Sequence, residues 1–408
     1  MSGRYLSEAI RNHLKTLRQM VFLVGPRQVG KTTLAQSMLL KSMPGVNYFN
    51  WDVAEHRKIL SLKIFPGRES LQGEGREVIV FDEIHKYSRW KNALKGLFDI
   101  QEPQTHWIIT GSALLNVWRK GQDSLMGRHF TYHLAPFSVA EYLKQDSASA
   151  KLLPDLVAHP FSSPDSETQE ALSRLMRFGG FPEPLFRAED SFLSQWRSGR
   201  LDRLVNQDLA TTEMLRQLPL VEQLMFLLPE RVGSLLSLNS LREDLEVHFA
   251  TVRHWMELLE RVFYGFFVRP YAKHAARMLR KEAKWYLWDW SEIESEGHRF
   301  ENLAAVHLLK YIHFINDLGL DELSLHYVRN KEKQEVDFLI CRRKKPFLLV
   351  ECKLDDTNLS PALARFSKVL GVKHAIQLVG NSTTPRVFHD GDVTLQVVPA
   401  GSFFRELV

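Results

Sequence analysis

Two cysteines, Cys341 and Cys352, are all that 408 residues contain. So few exclude both a disulfide framework and a Cys-rich zinc site. Long hydrophobic runs are missing as well: no apolar stretch approaches the ~20 residues that a membrane-spanning helix needs. The opening Met-Ser-Gly-Arg-Tyr-Leu-Ser-Glu has no signal-peptide core. These absences predict a cytoplasmic protein with no membrane partner. An excess of one charge is also lacking, because 53 basic residues face 48 acidic ones for a formal net charge of +5. That balance is compatible with a polyanionic partner without requiring one, so local clusters matter more than the total. What remains is ordinary globular composition, 44% hydrophobic and 25% charged, with length for two or three domains.

The most informative stretch is Met20 to Thr33. The apolar run Met20 to Val24 reads as a buried strand, breaks at Gly25, and restarts as a helix from Lys31. Between them lies Gly25-Pro26-Arg27-Gln28-Val29-Gly30-Lys31-Thr32-Thr33, the P-loop pattern in a strand–loop–helix context. Successive backbone N–H groups in such a loop form an anion-binding concavity, and the helix N-terminus adds partial positive charge. Lys31 is expected to reach the β- and γ-phosphates of ATP, and Thr32 to hold Mg²⁺.

Tyr5 to Leu17 has helical spacing and leads into the P-loop strand, and Val46 to Asn50 reads as the next strand. Glu77-Val-Ile-Val-Phe-Asp82-Glu83 is an apolar strand ending in two carboxylates. Asp82 is expected in the Mg²⁺ sphere, with Glu83 as the general base that polarises water. Trp107-Ile-Ile-Thr110 is a further strand, followed by Gly111-Ser112 and later by His129 to Leu134. Apolar strands that alternate with helices predict a parallel sheet covered on both faces.

Taken together, Gly-Pro-Arg-Gln-Val-Gly-Lys-Thr-Thr-Leu, Phe-Asp-Glu-Ile-His-Lys with Trp90-Lys-Asn, Thr-Gly-Ser, Gly127-Arg128 and Pro136-Phe-Ser resemble one group of bacterial and archaeal AAA-type ATPases. In that group a C-terminal domain of unknown function follows the ATPase. The resemblance runs through Gly179-Gly-Phe-Pro-Glu-Pro184. It implies that Thr110 or Ser112 senses the γ-phosphate. It implies also that Arg128 is an arginine finger or sensor arginine at a subunit interface; the rival reading of this residue is a structural arginine at a strand start. A homo-oligomer such as a hexameric ring follows from the same class.

Asp146 to Thr168, rich in Ser, Ala, Pro and Asp, reads as a linker or mobile excursion, and Gln169 to Leu228 as a helical lid. Leu238-Asn-Ser-Leu241 opens a short helix that Asn239 or Ser240 could cap. Thr251 to Arg261 forms a second amphipathic helix, with Val252, Trp255, Leu258 and Leu259 in one stripe, and a strand follows at Tyr264 to Val268. The order is similar to a winged helix. Its second helix offers only Arg253, His254 and Arg261 beside Glu257 and Glu260, so a DNA-reading role and a protein-contact role stay open.

The last region holds a second constellation. Lys284-Trp-Tyr-Leu-Trp-Asp289 reads as a strand, Arg299 to Lys310 as a helix bearing Glu301, and Glu335 to Ile340 and Pro346 to Lys353 as two strands. Asp337 followed by Glu351-Cys-Lys353 resembles the PD-(D/E)XK nuclease signature, with Glu301 as its helix-borne acid. Alternation puts Glu351 and Lys353 on one strand face. Glu301, Asp337 and Glu351 are then expected to hold Mg²⁺ that clamps a phosphodiester, with Lys353 orienting the attacking water or stabilising the developing phosphorane charge. Flanking basic runs, Arg329, Lys331 and Lys333, then Arg342, Arg343, Lys344 and Lys345, are either a solvated hairpin or a nucleic-acid contact.

The resulting expectation is α/β throughout. It comprises an AAA-type P-loop ATPase over 1–145, a linker and helical lid over 146–229, a winged-helix-like domain over 230–282, and a restriction-endonuclease-like domain over 283–408. The expected function is ATP hydrolysis coupled to action on nucleic acid, DNA rather than RNA, through a Mg²⁺-dependent nuclease-like domain. The alternative is an ATP-dependent switch or DNA-structure-binding protein that binds without cleaving.

Overall fold

A computed structural model describes residues 4–40, 46–62, 77–100, 105–111, 125–144, 150–209, 217–272 and 282–408. Its contacts divide the chain into two compact units, Met1–Ala135 and Pro136–Val408.

The first unit is built on five strands: β1 (Met20–Val24), β2 (Val46–Asn50), β3 (Glu77–Asp82), β4 (Thr105–Thr110) and β5 (His129–His133). They lie in the order β2-β3-β4-β1-β5 and every pairing is parallel. β1 is flanked by β4 and β5 and buried along its whole length, which is why its five residues are all apolar. Helices Ser7–Thr16, Lys31–Leu40, Ala54–Leu62 and Trp90–Asp99 alternate with the strands, as a sheet of parallel strands requires. In an open parallel sheet ligands collect at the carboxyl ends of strands, and the P-loop, Asp82 and Thr110 all lie there.

The second unit begins with helices. Ser166–Phe178, Pro182–Arg187, Asp190–Arg203 and Leu218–Leu227 lie along the stretch expected to be helical, the first of them starting before Gln169. The preceding segment is not a plain linker where it is described. Leu153–Leu156 is helical, and Leu153, Leu156, Val157 and Phe161 are buried. Asp165 caps the Ser166–Phe178 helix by accepting from the Thr168 amide at 2.8 Å. Asp165, one of the residues that suggested mobility, is a helix cap here, and Pro154 opens a helix. Helices Leu238–Asp244 and Phe249–Arg261 follow, and Ser237, rather than Asn239 or Ser240, caps the first of them.

The sheet of this unit has eight strands: β6 (Gly265–Pro270), β7 (Lys284–Leu287), β8 (Leu323–Arg329), β9 (Glu335–Arg342), β10 (Lys345–Lys353), β11 (His374–Val379), β12 (Arg386–Asp390) and β13 (Val393–Pro399). Their order is β12-β13-β11-β10-β9-β8-β6-β7. β8, β9 and β10 are antiparallel neighbours, and β11 joins β10 in parallel. β7 pairs with β6 in an antiparallel hairpin, and the end of β6 pairs with β8. The boundary expected at 282/283 therefore runs through one continuous sheet. A 22-residue helix, Glu296–Asp317, is capped by Ser295 and packs on β7, β8 and β10.

A candidate nucleotide site and a carboxylate–lysine cluster

Register assembles the first site. Thr110 of β4 stands opposite Leu23 of β1 and Asp82 of β3, so the three strand ends meet on one edge. The chain leaves β1 at Gly25 with φ +150°, where an added Cβ would stand 2.1 Å from the Leu134 carbonyl oxygen. No other residue fits there. Lys31 is buried, and its Nζ donates to the carbonyls of Gly25 at 2.9 Å and Pro26 at 2.7 Å. Gln28 takes a positive φ and Val29 is buried, whereas Thr33 is exposed. Arg4, which sequence reading missed, donates to the carbonyls of Val29 and Ala135 and ties down the loop.

Asp82 is 4% exposed and held by three hydroxyls. Thr32 Oγ1 donates to its Oδ2 at 2.8 Å, Tyr48 OH to the same oxygen at 2.6 Å, and Thr110 Oγ1 to Oδ1. Tyr48 was not singled out from sequence. Its only signal is an aromatic with a polar tip near the end of a strand that neighbours β3. Burial, then its bond to Asp82, raises the phenol pKa. Glu83 adopts a left-handed backbone at φ 56° and its amide donates to the Thr110 carbonyl at 3.2 Å. Its carboxyl pKa is raised by burial and opposed by Lys86 and Lys31. Glu83 Oε2 is buried, lies 3.5 Å from His85 Nε2 and 3.6 Å from Lys86 Nζ, and makes no hydrogen bond among the described residues. Burial pushes His85 down to about 4, so it is neutral at pH 7.

These residues fit a nucleotide with its Mg²⁺. Lys31 and the loop amides would hold phosphate, Thr32 and Asp82 the metal, and the underused oxygen of Glu83 a water. Thr110 is brought to this edge; Ser112 lies outside the described residues. Arg128 sits elsewhere. Its carbonyl accepts from the Met20 amide, at the start of β1, and the length of β1 puts it about 16 Å from the loop at about 3.3 Å per residue. Its guanidinium pairs with Asp99 at 2.9 Å.

Comparison with known proteins agrees for this part of the chain. Residues 17–143 match the family described as AAA domain. This region is similar to an AAA-type P-loop ATPase domain. Residues 169–291 and 296–402 match two domains of unknown function, DUF8612 and DUF4143. The uncharacterized protein MJ1544 of Methanocaldococcus jannaschii is 22% identical over 303 residues, 72% of this chain and 65% of its own length. MJ1637 of the same organism is 25% identical over 65% of this chain and 60% of its own length. The chain therefore spans less than two thirds of these two relatives. Rv2008c of Mycobacterium tuberculosis is 24% identical over 80% of this chain and 68% of its own. Among solved structures, the Walker-type ATPase of Pyrococcus abyssi covers 69% of this chain and 92% of its own at 15% identity, with a TM-score of 0.42. The RuvB Holliday junction branch migration motor of Thermotoga maritima covers 68% and 93% at 17% identity, with a TM-score of 0.31. No helix among the described residues is long and apolar enough to cross a membrane.

The second expected constellation also assembles. The antiparallel pairing of β9 with β10 sets Asp337 beside Glu351: the Asp337 amide donates to Glu351 Oε2 at 3.4 Å, and the Cys352 amide to Asp337 Oδ2 at 2.9 Å. Lys353 Nζ lies 2.9 Å from Glu351 Oε1. Burial tends to lower the Lys353 pKa, but Glu351 outweighs it and the net shift is upward. Glu301 arrives from the long helix. Burial and the neighbouring Asp337 push both Glu301 and Glu351 upward.

At the centre, however, is an ammonium that sequence reading had placed only as the start of a strand. Lys284 Nζ lies 3.1 Å from Glu301 Oε1, 3.3 Å from Asp337 Oδ1 and 2.5 Å from Glu335 Oε1, and the residue is 1% exposed. Burial works to lower its pKa, yet the carboxylates more than compensate and raise it, so it stays charged. Tyr286, two residues on and on the same strand face, donates to Glu301 Oε1 at 2.6 Å. Asn302 fastens β7 to the helix, taking the Leu287 amide at 2.8 Å and giving to the Leu287 carbonyl at 2.7 Å. Behind Glu301, Gly233 at φ +74° makes a close approach: a Cβ would stand 3.0 Å from Oε2 and press on the carboxylate.

As placed, these residues do not fit the expected Mg²⁺. Lys284 engages one oxygen each of Glu301, Glu335 and Asp337, while Arg329 takes Glu335 Oε2 at 2.9 Å. A divalent ion would have to share the centre with an ammonium. Among the described residues no group of three or more His, Cys, Asp or Glu is arranged to hold a metal. The flanking basic runs are partly absorbed too. Arg342 and Arg343 both pair with Asp321, whereas Lys331, Lys333, Lys344 and Lys345 are exposed.

Proposed function

We propose that this protein hydrolyses ATP and uses the turnover to act on nucleic acid, DNA rather than RNA, as a cytoplasmic homo-oligomer. Hydrolysis, rather than nucleotide binding alone, rests on one observation. Asp82 is oriented by three hydroxyls, and next to it Glu83 keeps a buried oxygen free of hydrogen bonds among the described residues. The first arrangement suits a metal, and the second an attacking water.

In the second unit, the helix pair Leu238–Asp244 and Phe249–Arg261 followed by the β6–β7 hairpin supports a winged-helix reading. The convergence of Glu301, Asp337, Glu351 and Lys353 supports a nuclease-like architecture for the strands beyond it. Of the two versions of the function, binding without cleavage is favoured, and the observation that favours it is the Lys284 ammonium among the carboxylates. Oligomerisation is carried by the AAA-type domain alone. Arg128, paired within its own subunit with Asp99, has to leave that partner to serve a neighbour.

Labelled linear, forked and four-way DNAs, incubated with wild type and Glu351→Ala with and without ATP and Mg²⁺, test the reading. Retention of DNA without product, together with DNA-stimulated ATPase, is the expected result. A product that disappears in Glu351→Ala would establish the cleaving version. ATPase indifferent to DNA, with no retention, would sink the nucleic-acid reading altogether. Light scattering of the purified protein checks the oligomer, and a monomer with full ATPase activity would contradict it.

A further inference from the structure

The carboxylate cluster of the second unit already holds a cation, and the cation is part of the chain. We infer that Lys284 is a permanent resident of the position where a divalent ion would lie, so that the wild-type cluster is a metal-independent, internally neutralised centre. This deepens the reading of binding without cleavage and rests on it only for its biological purpose; the chemistry stands on the geometry.

Three observations carry it. The first is charge. Glu301, Glu335, Asp337 and Glu351 supply up to four negative charges, and Lys284, Arg329 and Lys353 supply three positive ones at 2.5 to 3.3 Å. Little field remains to draw in a doubly charged ion, and buried ion pairs of this kind are held together by mutual attraction in a low dielectric.

The second is direction. Lys284 and Tyr286 share one face of β7 and converge on the same oxygen, Glu301 Oε1. A metal ligand with two hydrogen-bond donors on its inner oxygen is a ligand already used.

The third is immobility. β7 is buried at all four positions. Lys284 pairs through its backbone with Val268 on one side and is bridged to Leu235 on the other. Asn302 clamps the strand's far end to the long helix at 2.8 and 2.7 Å. Its backbone is held in the sheet and its buried ammonium is held by three carboxylates, so Lys284 is a fixed part of the centre and not a gate over it.

The test counts bound Mn²⁺ by electron paramagnetic resonance on the full-length chain without nucleotide. The proteins compared are wild type, Asp337→Asn, Lys284→Ala, and Lys284→Ala with Asp337→Asn. The inference expects wild type and Asp337→Asn to bind the same number of ions. It expects Lys284→Ala to gain one, which the added Asp337→Asn removes. A wild-type ion lost in Asp337→Asn overturns it, as does a folded Lys284→Ala that gains none. Should Lys284→Ala fail to fold, wild type against Asp337→Asn still decides: equal counts support the inference and a lost ion refutes it. DNA retention is a separate measurement. If the DNA reading fails, the ion counts are untouched, and if the ion counts fail, DNA retention by wild type still stands on its own.

Discussion

The two units each gather carboxylates at the ends or edges of strands, and they neutralise them in opposite ways. Asp82 is held by Thr32, Tyr48 and Thr110, three uncharged hydroxyls. Glu301, Glu335 and Asp337 are held by the Lys284 ammonium. A hydroxyl orients a carboxylate and leaves its negative charge for a ligand. An ammonium satisfies both the hydrogen bond and the charge. The same residue type therefore marks a ligand site in one unit and an internal ion-pair network in the other. The difference lies in the donors, not in the acids.

That contrast can be broken from either side. The largest effect is expected in the first unit. Lys31→Ala removes the phosphate-binding cation, and ATP turnover should fall below detection, by roughly 10³-fold or more. Turnover within tenfold of wild type would mean that the phosphate is held elsewhere. Glu83→Gln keeps the shape and removes the base: kcat should drop by about 10² to 10⁴-fold while nucleotide binding, followed by fluorescence, is retained. Loss of binding alongside kcat would instead make Glu83 a structural residue.

Lys284→Met takes the central cation from the cluster of the second unit and leaves Glu301 and Asp337 facing one another. Breaking one side of such a network costs about 3–5 kcal/mol, read as a lower urea midpoint for that unit. An unchanged midpoint would show that the carboxylates neutralise themselves by protonation. Tyr48→Phe removes only one of three neutral donors to Asp82. About 1 kcal/mol is expected, seen as a several-fold higher Mg²⁺ requirement for ATPase with kcat little changed.

The smallest effect concerns pH. Glu83 must be ionised to act as a base, and burial raises its pKa while Lys86 lowers it. In Lys86→Ala that lowering is lost, so the acidic limb of the kcat profile should move to higher pH. A limb that stays in place would assign it to another group.

How much of this was legible in the sequence follows from how local each feature is. The P-loop is contiguous, and its chemistry needs only a strand, a turn and a helix start. Asp82 and Thr110 were legible because an apolar strand that ends in a polar residue delivers it to the same edge in a parallel sheet. The neighbouring Asp337 and Glu351 were legible from alternation on adjacent strands. Arg4 and Tyr48 were not, because nothing near them in the chain marks them as partners of Val29 and Asp82. Asp146 to Thr168 misled because turn-forming residues look alike whether they cap a packed helix or lie in a loose connection. At Arg128, the strand position was legible but the pairing with Asp99 was not.

By itself, then, the sequence determined the candidate nucleotide site: the residues proposed to build it follow one another in the chain or close a strand of predictable direction. It also marked three acids and a lysine of the second unit, Glu301, Asp337, Glu351 and Lys353, as one constellation. Only the tertiary structure decided what those acids surround. Lys284 reaches them because β7 is carried to the edge of the eight-stranded sheet by β6 and fastened to the long helix by Asn302. Charge neutralisation depends on distances across space, and those distances join strands whose separation along the chain gives no hint of contact.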